Sequence, residues 1–200
     1  MMKSLSAMTH RADLSREFFQ NYYEETHAPL AIQLFPFSRY VRNHLLDAPD
    51  IGFDTISEFW AKDIAAVAAL MDGPIGKISD QDEKRFMDQA TIAIAGAEEH
   101  VLSSGADCTE RFAVLLQWSG ERQASVLEWA RQIAARSAGV SIDFTRTWQR
   151  PVFPARAVLW TPDPASLGDL PAGSSARVLR VRRCETPAEE LAAAYGRRHC

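Results

Sequence analysis

Two histidines and a tyrosine near the start of the chain carry its clearest chemical potential: His27, Tyr40 and His44. Histidine is the side chain whose unperturbed pKa lies near neutrality, so His27 can act as general base or acid. A tyrosine hydroxyl such as that of Tyr40 can orient a substrate oxygen or donate to a developing enolate. Tyr23, Tyr40 and His44 are expected to orient the substrate or His27, and Arg42 can grip a carboxylate through two parallel hydrogen bonds. Asp54 or Glu58 is expected to set a histidine tautomer, and Trp60 completes the substrate-binding set. The chemistry this predicts is proton transfer at a phenolic or carbonyl compound, with neither metal nor cofactor. Structural roles compete with these. His27 could cap its helix or bond Glu24, His44 could be a sheet-edge residue, and Tyr22, Tyr23, Phe18 and Phe19 could be core.

Specific elements must position these groups. Lys3 to Thr9 reads as an opening strand. Asp13 or Ser15 can cap a helix on which Leu14, Phe18, Phe19, Tyr22 and Tyr23 recur at helical spacing. His27 lies on or near that aromatic face, and Pro29 predicts an end or kink there by biasing Ala28 away from helix. Phe37 to Leu46 reads as a strand. One face (Phe37, Val41, Leu45) is suited to a core under helices; the other carries Tyr40, Arg42 and His44. Asp54 to Trp60 is the next strand, with Asp54, Ile56, Glu58 and Trp60 on one side. A helix over Asp63 to Met71 is broken at Gly73-Pro74. Asp80 to Asp88 offers a further helical turn, Thr91 to Gly96 is ambiguous, and Glu98 to Leu102 is a last strand.

After Ser103-Ser104-Gly105 the pattern starts again. Strands are expected over Phe112 to Trp118, Val140 to Trp148, Arg156 to Thr161 and Arg177 to Arg183. A helix over Val126 to Ala138 turns Val126, Trp129 and Ile133 inward and stops at Gly139. Pro162 to Leu170 is too proline-rich for a full helix, and Pro187 to Tyr195 predicts a helical tail. In the last strand Val178 and Val181 are read as apolar against Arg177, Arg180 and Arg182. The order is that of a split βαβ unit, repeated, so the fold class is α+β with tandem ferredoxin-like halves. The expected domains are 1–105, carrying the site, and 106–200, a divergent second half with the helical tail.

Composition narrows the function classes. At 46% hydrophobic and 24% charged residues, the 200-residue chain is an ordinary globular mix rather than a disordered one. Its longest apolar runs are too short to span a membrane, and Met1 to Thr9 shows no signal-peptide pattern, so a cytoplasmic location is expected. Cys108, Cys184 and Cys200 lack metal-ligand spacing and read as incidental reduced thiols. The net charge of −4 divides unevenly: residues 1–110 are acidic, while residues 111–200 take all their positive charge from arginine. Opposite signs favour docking of the halves. The Arg182-Arg183 and Arg197-Arg198 pairs are too short for a nucleic-acid footprint, so neither nucleic acid nor membrane is expected as a partner.

The blocks Leu14-Ser15-Arg16-Glu17-Phe18-Phe19 and His27-Ala28-Pro29-Leu30 resemble the signature of the EthD family. The resemblance continues through Arg39 to His44, Phe53 to Trp60, Asp82 to Phe86 and Glu98 to Leu102. It covers roughly the first 100 residues and does not extend into residues 111–200. It implies a dimeric α+β barrel, with antiparallel sheets face to face and helices on the outer faces, and homodimerisation as the family habit. It also implies an EthD-like enzyme of decarboxylase, cyclase or lyase type. The substrate would be an aromatic, polyketide-like or other hydrophobic carbonyl compound. The alternatives are an oxidoreductase or oxygenase-accessory protein, with haem on a histidine such as His27 or His44, and a barrel that binds a ligand without chemistry. Fold analogy does not choose among these.

Overall fold

The structure is a computed structural model that describes residues 2–47, 50–105, 108–148 and 151–199; Cys200 and the side chains of residues 196–199, including Arg197-Arg198, lie outside the described residues. Eight antiparallel strands form a closed barrel: β1 (Met2–Met8), β2 (Phe37–Leu45), β3 (Thr55–Ala61), β4 (Ala93–Val101), β5 (Glu110–Trp118), β6 (Ser141–Thr147), β7 (Ala157–Thr161) and β8 (Ser174–Glu185). Around the barrel they run β1-β3-β2-β8-β5-β7-β6-β4. The strands before residue 102 lie in the order β4-β1-β3-β2, and those after it in the equivalent order β8-β5-β7-β6. The seams β2·β8 and β4·β6 close the sheet, which leaves no free edge.

Helices cover the outside. The first-half layer is α1 (Arg16–Tyr22), a π-helical turn (Tyr23–His27), α2 (Ala28–Leu34), α3 (Ile64–Met71) and α4 (Pro74–Glu83). The second half has α5 (Gln123–Ala134) and only a 3-10 turn at Pro164–Ser166, as its prolines dictate. The tail helix α6 (Ala188–His199) crosses back onto the first half, where Leu191 and Ala194 join the layer containing Phe19, Tyr23 and Phe86. Among the described residues no helix is long and apolar enough to cross a membrane.

The core has three parts. Leu5, Leu45, Ile56, Leu115, Trp160, Leu179 and Val181 fill the barrel. Two further clusters lie between the sheet and the helices of each half. Closure therefore buries both faces of most strands, and this corrects two strand readings. In β2 the Tyr40, Arg42 and His44 face lies under the helices, whereas Leu45 and Asn43 point into the barrel. A register shift between Phe37 and Arg39 turns Phe37 to the Tyr40 side, where their rings lie 5.3 Å apart. In β8 the interior pair is Leu179 and Val181; Val178, three residues from Val181, falls on the other face and is exposed. Of the ambiguous stretch Thr91 to Gly96, Thr91 ends a 3-10 turn and the part from Ala93 on belongs to β4; α5 ends at Ala134, before the left-handed Gly139.

Candidate functional site

Ser15 caps α1 by accepting from the Phe18 amide, which starts the aromatic helix where its spacing predicts. Pro29 does not end it. Ala28 stays helical and its N–H bonds the Tyr23 carbonyl, five residues back. The wider π-turn absorbs the proline and carries Tyr23, Glu24 and His27, the kind of irregularity often found at functional positions.

Around this turn lies a buried polar cluster. Tyr40 donates to the Tyr23 hydroxyl at 3.0 Å, and that hydroxyl also shares a hydrogen bond with Ser57 Oγ at 3.0 Å. Burial pushes the Tyr23 hydroxyl up to about 12 and that of Tyr40 well above its ordinary value, so both stay protonated. The Tyr23 ring meets His27 edge-on at 4.9 Å and His44 at 5.6 Å. The structure thus brings His27, Tyr40, His44 and Tyr23 together, with Tyr23 at the centre.

The two histidines differ in what remains free. His44 is fully buried, with Nδ1 2.7 Å from Thr55 Oγ1 and Nε2 2.6 Å from Glu24 Oε1. Burial lowers its pKa despite the opposing Glu24 charge. The consistent assignment is a neutral ring that donates from Nε2 to Glu24 and accepts at Nδ1 from Thr55. His27 is 7% exposed, and its Nδ1 lies 2.8 Å from Asp82 Oδ2. Among the described residues nothing hydrogen-bonds its Nε2. Asp82 also accepts from the Tyr22 hydroxyl at 2.8 Å. Burial pushes the Asp82 carboxyl up, but the bonds from His27 and Tyr22 outweigh it and hold the group below its usual range.

Arg42 grips a carboxylate with two nitrogens, but that of Glu24, at 3.1 and 2.6 Å, and it also donates to Thr186 at 2.6 Å. Burial alone would raise Glu24; bonds from His44 and Arg42 bring it down to about 2. Donor atoms of Glu24, His44 and Cys184 lie within 4.8 Å of one another. The donor set suits a borderline metal, but Arg42 already occupies the carboxylate, so a cation would have to displace it. Of the two histidines expected to hold haem, His44 offers no free nitrogen, whereas no described residue engages Nε2 of His27.

Asp54 serves a different histidine from those expected. Its Oδ2 lies 2.6 Å from His10 Nδ1 and its Oδ1 2.6 Å from Arg16 Nε. Glu58 and Trp60 face the barrel interior, on the far side of the sheet. There Lys3 makes ion pairs with Glu58 at 2.8 Å, Glu99 at 2.9 Å and Asp143 at 2.7 Å. Arg111 pairs with Glu58 and bonds Asn43, while Trp60 and Trp160 donate indole N–H groups to Glu99 and Asp143. Burial, with Glu58 nearby, raises Asp143, although Lys3 pulls the other way; Asp143 Oδ1 has no hydrogen-bond partner. The eight expected residues thus fall into three groups: five around Tyr23, Glu58 and Trp60 inside the barrel, and Asp54 at the β1–α1 corner. The residues missed were Asp82, Glu24, Lys3 and Asp143. Asp82 heads one of the quoted blocks, and Lys3 shares a strand face with Leu5 and Ala7, where a charge is out of place.

These features define an α+β protein with a closed antiparallel eight-stranded barrel and a buried histidine–carboxylate pair beneath its helices. Residues 11–90, from the turn after β1 to the turn before β4, match the EthD domain family model. An EthD family protein from Bacillus halodurans is 21% identical over 47% of this chain and 96% of its own, with a TM-score of 0.37. A candidate monooxygenase from Lactobacillus acidophilus, 8% identical, covers 94% of this chain and 96% of its own at a TM-score of 0.55. A chlorite dismutase variant from Candidatus Nitrospira defluvii, 10% identical, covers 97% and 94% at 0.51. These two likenesses extend the barrel comparison to the whole chain and concern the fold alone. No curated protein matches the chain.

Proposed function

We propose that this protein is a small-molecule enzyme that works by acid–base chemistry, with His27 as the proton-transferring group. The observation that carries the reading is the His27 Nδ1–Asp82 Oδ2 contact at 2.8 Å beside an Nε2 that no described residue engages. A carboxylate on Nδ1 fixes the tautomer in which Nε2 is the base, and it stabilises the imidazolium formed when the proton arrives. The substrate class that fits is a hydrophobic or aromatic carbonyl compound. His27 would take a proton from its phenol or from the carbon next to its carbonyl, then return it elsewhere. This is the proton traffic of a cyclase, a decarboxylase or a related lyase. Asp82 and Tyr22 are positioning residues for His27, and the Tyr40–Tyr23–Ser57 chain holds the turn that carries it.

In this reading residues 1–105 and 106–200 are tandem ferredoxin-like halves, supported by the repeated strand order. The first half holds the chemistry, the second closes the barrel, and the protein works in the cytoplasm as a homodimer. An oxidoreductase or oxygenase-accessory role has barrel likeness behind it, but no residue contact that favours it over proton transfer.

The test does not need the true product. Aryl ketones and aromatic β-keto acids are incubated with the protein in D2O, and exchange at the carbon next to the carbonyl is followed by NMR. The expected result is exchange with the wild type that His27→Gln abolishes and Asp82→Asn slows on the order of 100-fold or more, while both variants keep the wild-type melting profile. Exchange unaffected by His27→Gln would sink the proposal.

A further inference from the structure

A second site lies apart from His27, where β4 pairs with β6. A cleft of about 800 Å3 is lined by Lys3, Trp60, Glu99 and Phe144, with Arg146 and Trp148 among its exposed residues. That volume is in the range of small-molecule sites. Both halves of the chain supply its walls.

Its floor is electrically satisfied. All three Lys3 N–H bonds are taken by Glu58, Glu99 and Asp143, and the Lys3 Nζ and the Arg39 guanidinium lie 4.4 and 4.6 Å from the Trp60 ring. Glu99 accepts from Lys3 and Trp60, Glu98 pairs with His100, and Arg39 pairs with Glu185. Among the described charged side chains that line the cleft, that of Arg146 alone has neither an ion pair nor a hydrogen bond. The unmatched charge is therefore positive and carried by a planar fork.

The wall beside it is aromatic. Trp148 is 48% exposed, although its backbone is anchored by an N–H bond to Ile94 at 3.2 Å. Its indole packs directly on Gly96: a Cβ at that position would come within 2.6 Å of Trp148 Nε1. Glycine here lets an indole lie against β4 at the cleft instead of being pushed away from it. An exposed tryptophan held in place beside an unpaired arginine is a surface made for a flat ring with one negative charge.

We propose that this cleft binds an aromatic carboxylate, its ring against Trp148 and its carboxylate on Arg146. The site is separate from the His27 chemistry: Arg146 and Trp148 lie on and just after β6, and no residue lining the cleft belongs to the cluster around Tyr23 and His27. Binding of 2-naphthoate, followed by calorimetry and by tryptophan quenching, tests it. The expected result is saturable binding with one site per chain. Trp148→Ala and Arg146→Gln should each weaken it about tenfold or more, as loss of one charge-assisted pair or one stacked ring predicts. The neutral analogue 2-naphthamide should bind about tenfold more weakly than the acid to the wild type, and Arg146→Gln should erase that preference. His27→Gln should leave the affinity unchanged. Absence of saturable binding, a preference for the acid that survives Arg146→Gln, or loss of binding in His27→Gln would each overturn the proposal. Both cleft substitutions are at exposed positions, so an unchanged melting profile ties any loss to the site.

Discussion

Asp82 holds His27 by Nδ1 at 2.8 Å across 55 residues of chain, joining the end of α4 to the π-turn that follows α1. The carboxylate also holds Tyr22, so one group fixes the ring from behind and leaves Nε2 forward. Replacing Asp82 with Asn keeps the size and loses both the charge and the certainty of tautomer. The expected outcome is a fall in proton-exchange rate on the order of 100-fold or more, with affinity for the substrate little changed. Steady-state kinetics on the same substrate panel check it, and a change confined to KM would contradict it.

Glu24 leads to a prediction about acid stability. Its carboxyl is held at about 2 against an ordinary 4.5. The folded state therefore binds this proton more weakly than the unfolded chain. The stabilisation is fully present above the ordinary value and is lost as pH falls through the folded one. It amounts to about 3 kcal/mol, lost between roughly pH 4.5 and pH 2. Urea denaturation across this window should show that loss in the wild type and a flatter profile in Glu24→Gln. The variant should also be less stable at neutral pH, because Arg42 and His44 lose the carboxylate that holds them.

Lys3 is the cation that lets three carboxylates share the barrel interior. Lys3→Met would leave Glu58 to Arg111 and Asn43, and Glu99 and Asp143 to the indole N–H groups of Trp60 and Trp160. The expected cost at pH 7.5 is roughly 3 to 5 kcal/mol, the usual range for breaking a buried ion pair. Burial already raises the Asp143 carboxyl against the pull of Lys3, so without Lys3 it should titrate higher still, and the variant should recover part of its stability as pH falls toward 5. Denaturation curves at pH 7.5 and 5 that show the same deficit would refute this.

Gly96→Ala tests how Trp148 is held. The new Cβ would meet the indole at 2.6 Å, and the exposed side chain can yield by swinging outward. The expected result is a red shift of tryptophan emission with a stability change of no more than about 1 kcal/mol, and no red shift when the same substitution is made in a Trp148→Phe background. Affinity for 2-naphthoate should fall along with the shift.

The residues alone determined a good deal. The spacing of Phe19, Tyr23 and His27 places them on one helical face, and alternation in β2 puts Tyr40, Arg42 and His44 together. The blocks from Leu14 to Phe86 carry the resemblance to the EthD family, and the prolines from Pro162 onward rule out a full second helix in the second half. The partners of those side chains were another matter. Asp82, Glu24 and Thr55 reach the histidines from three different elements, and Lys3 meets Asp143 across 140 residues. Nor could alternation alone say which face of β2 lies under the helices. A half-buried sheet announces its inner face by polarity, but a closed barrel under helices buries both. Polar residues then appear on each side wherever a partner awaits them, and only barrel closure decides which partner that is.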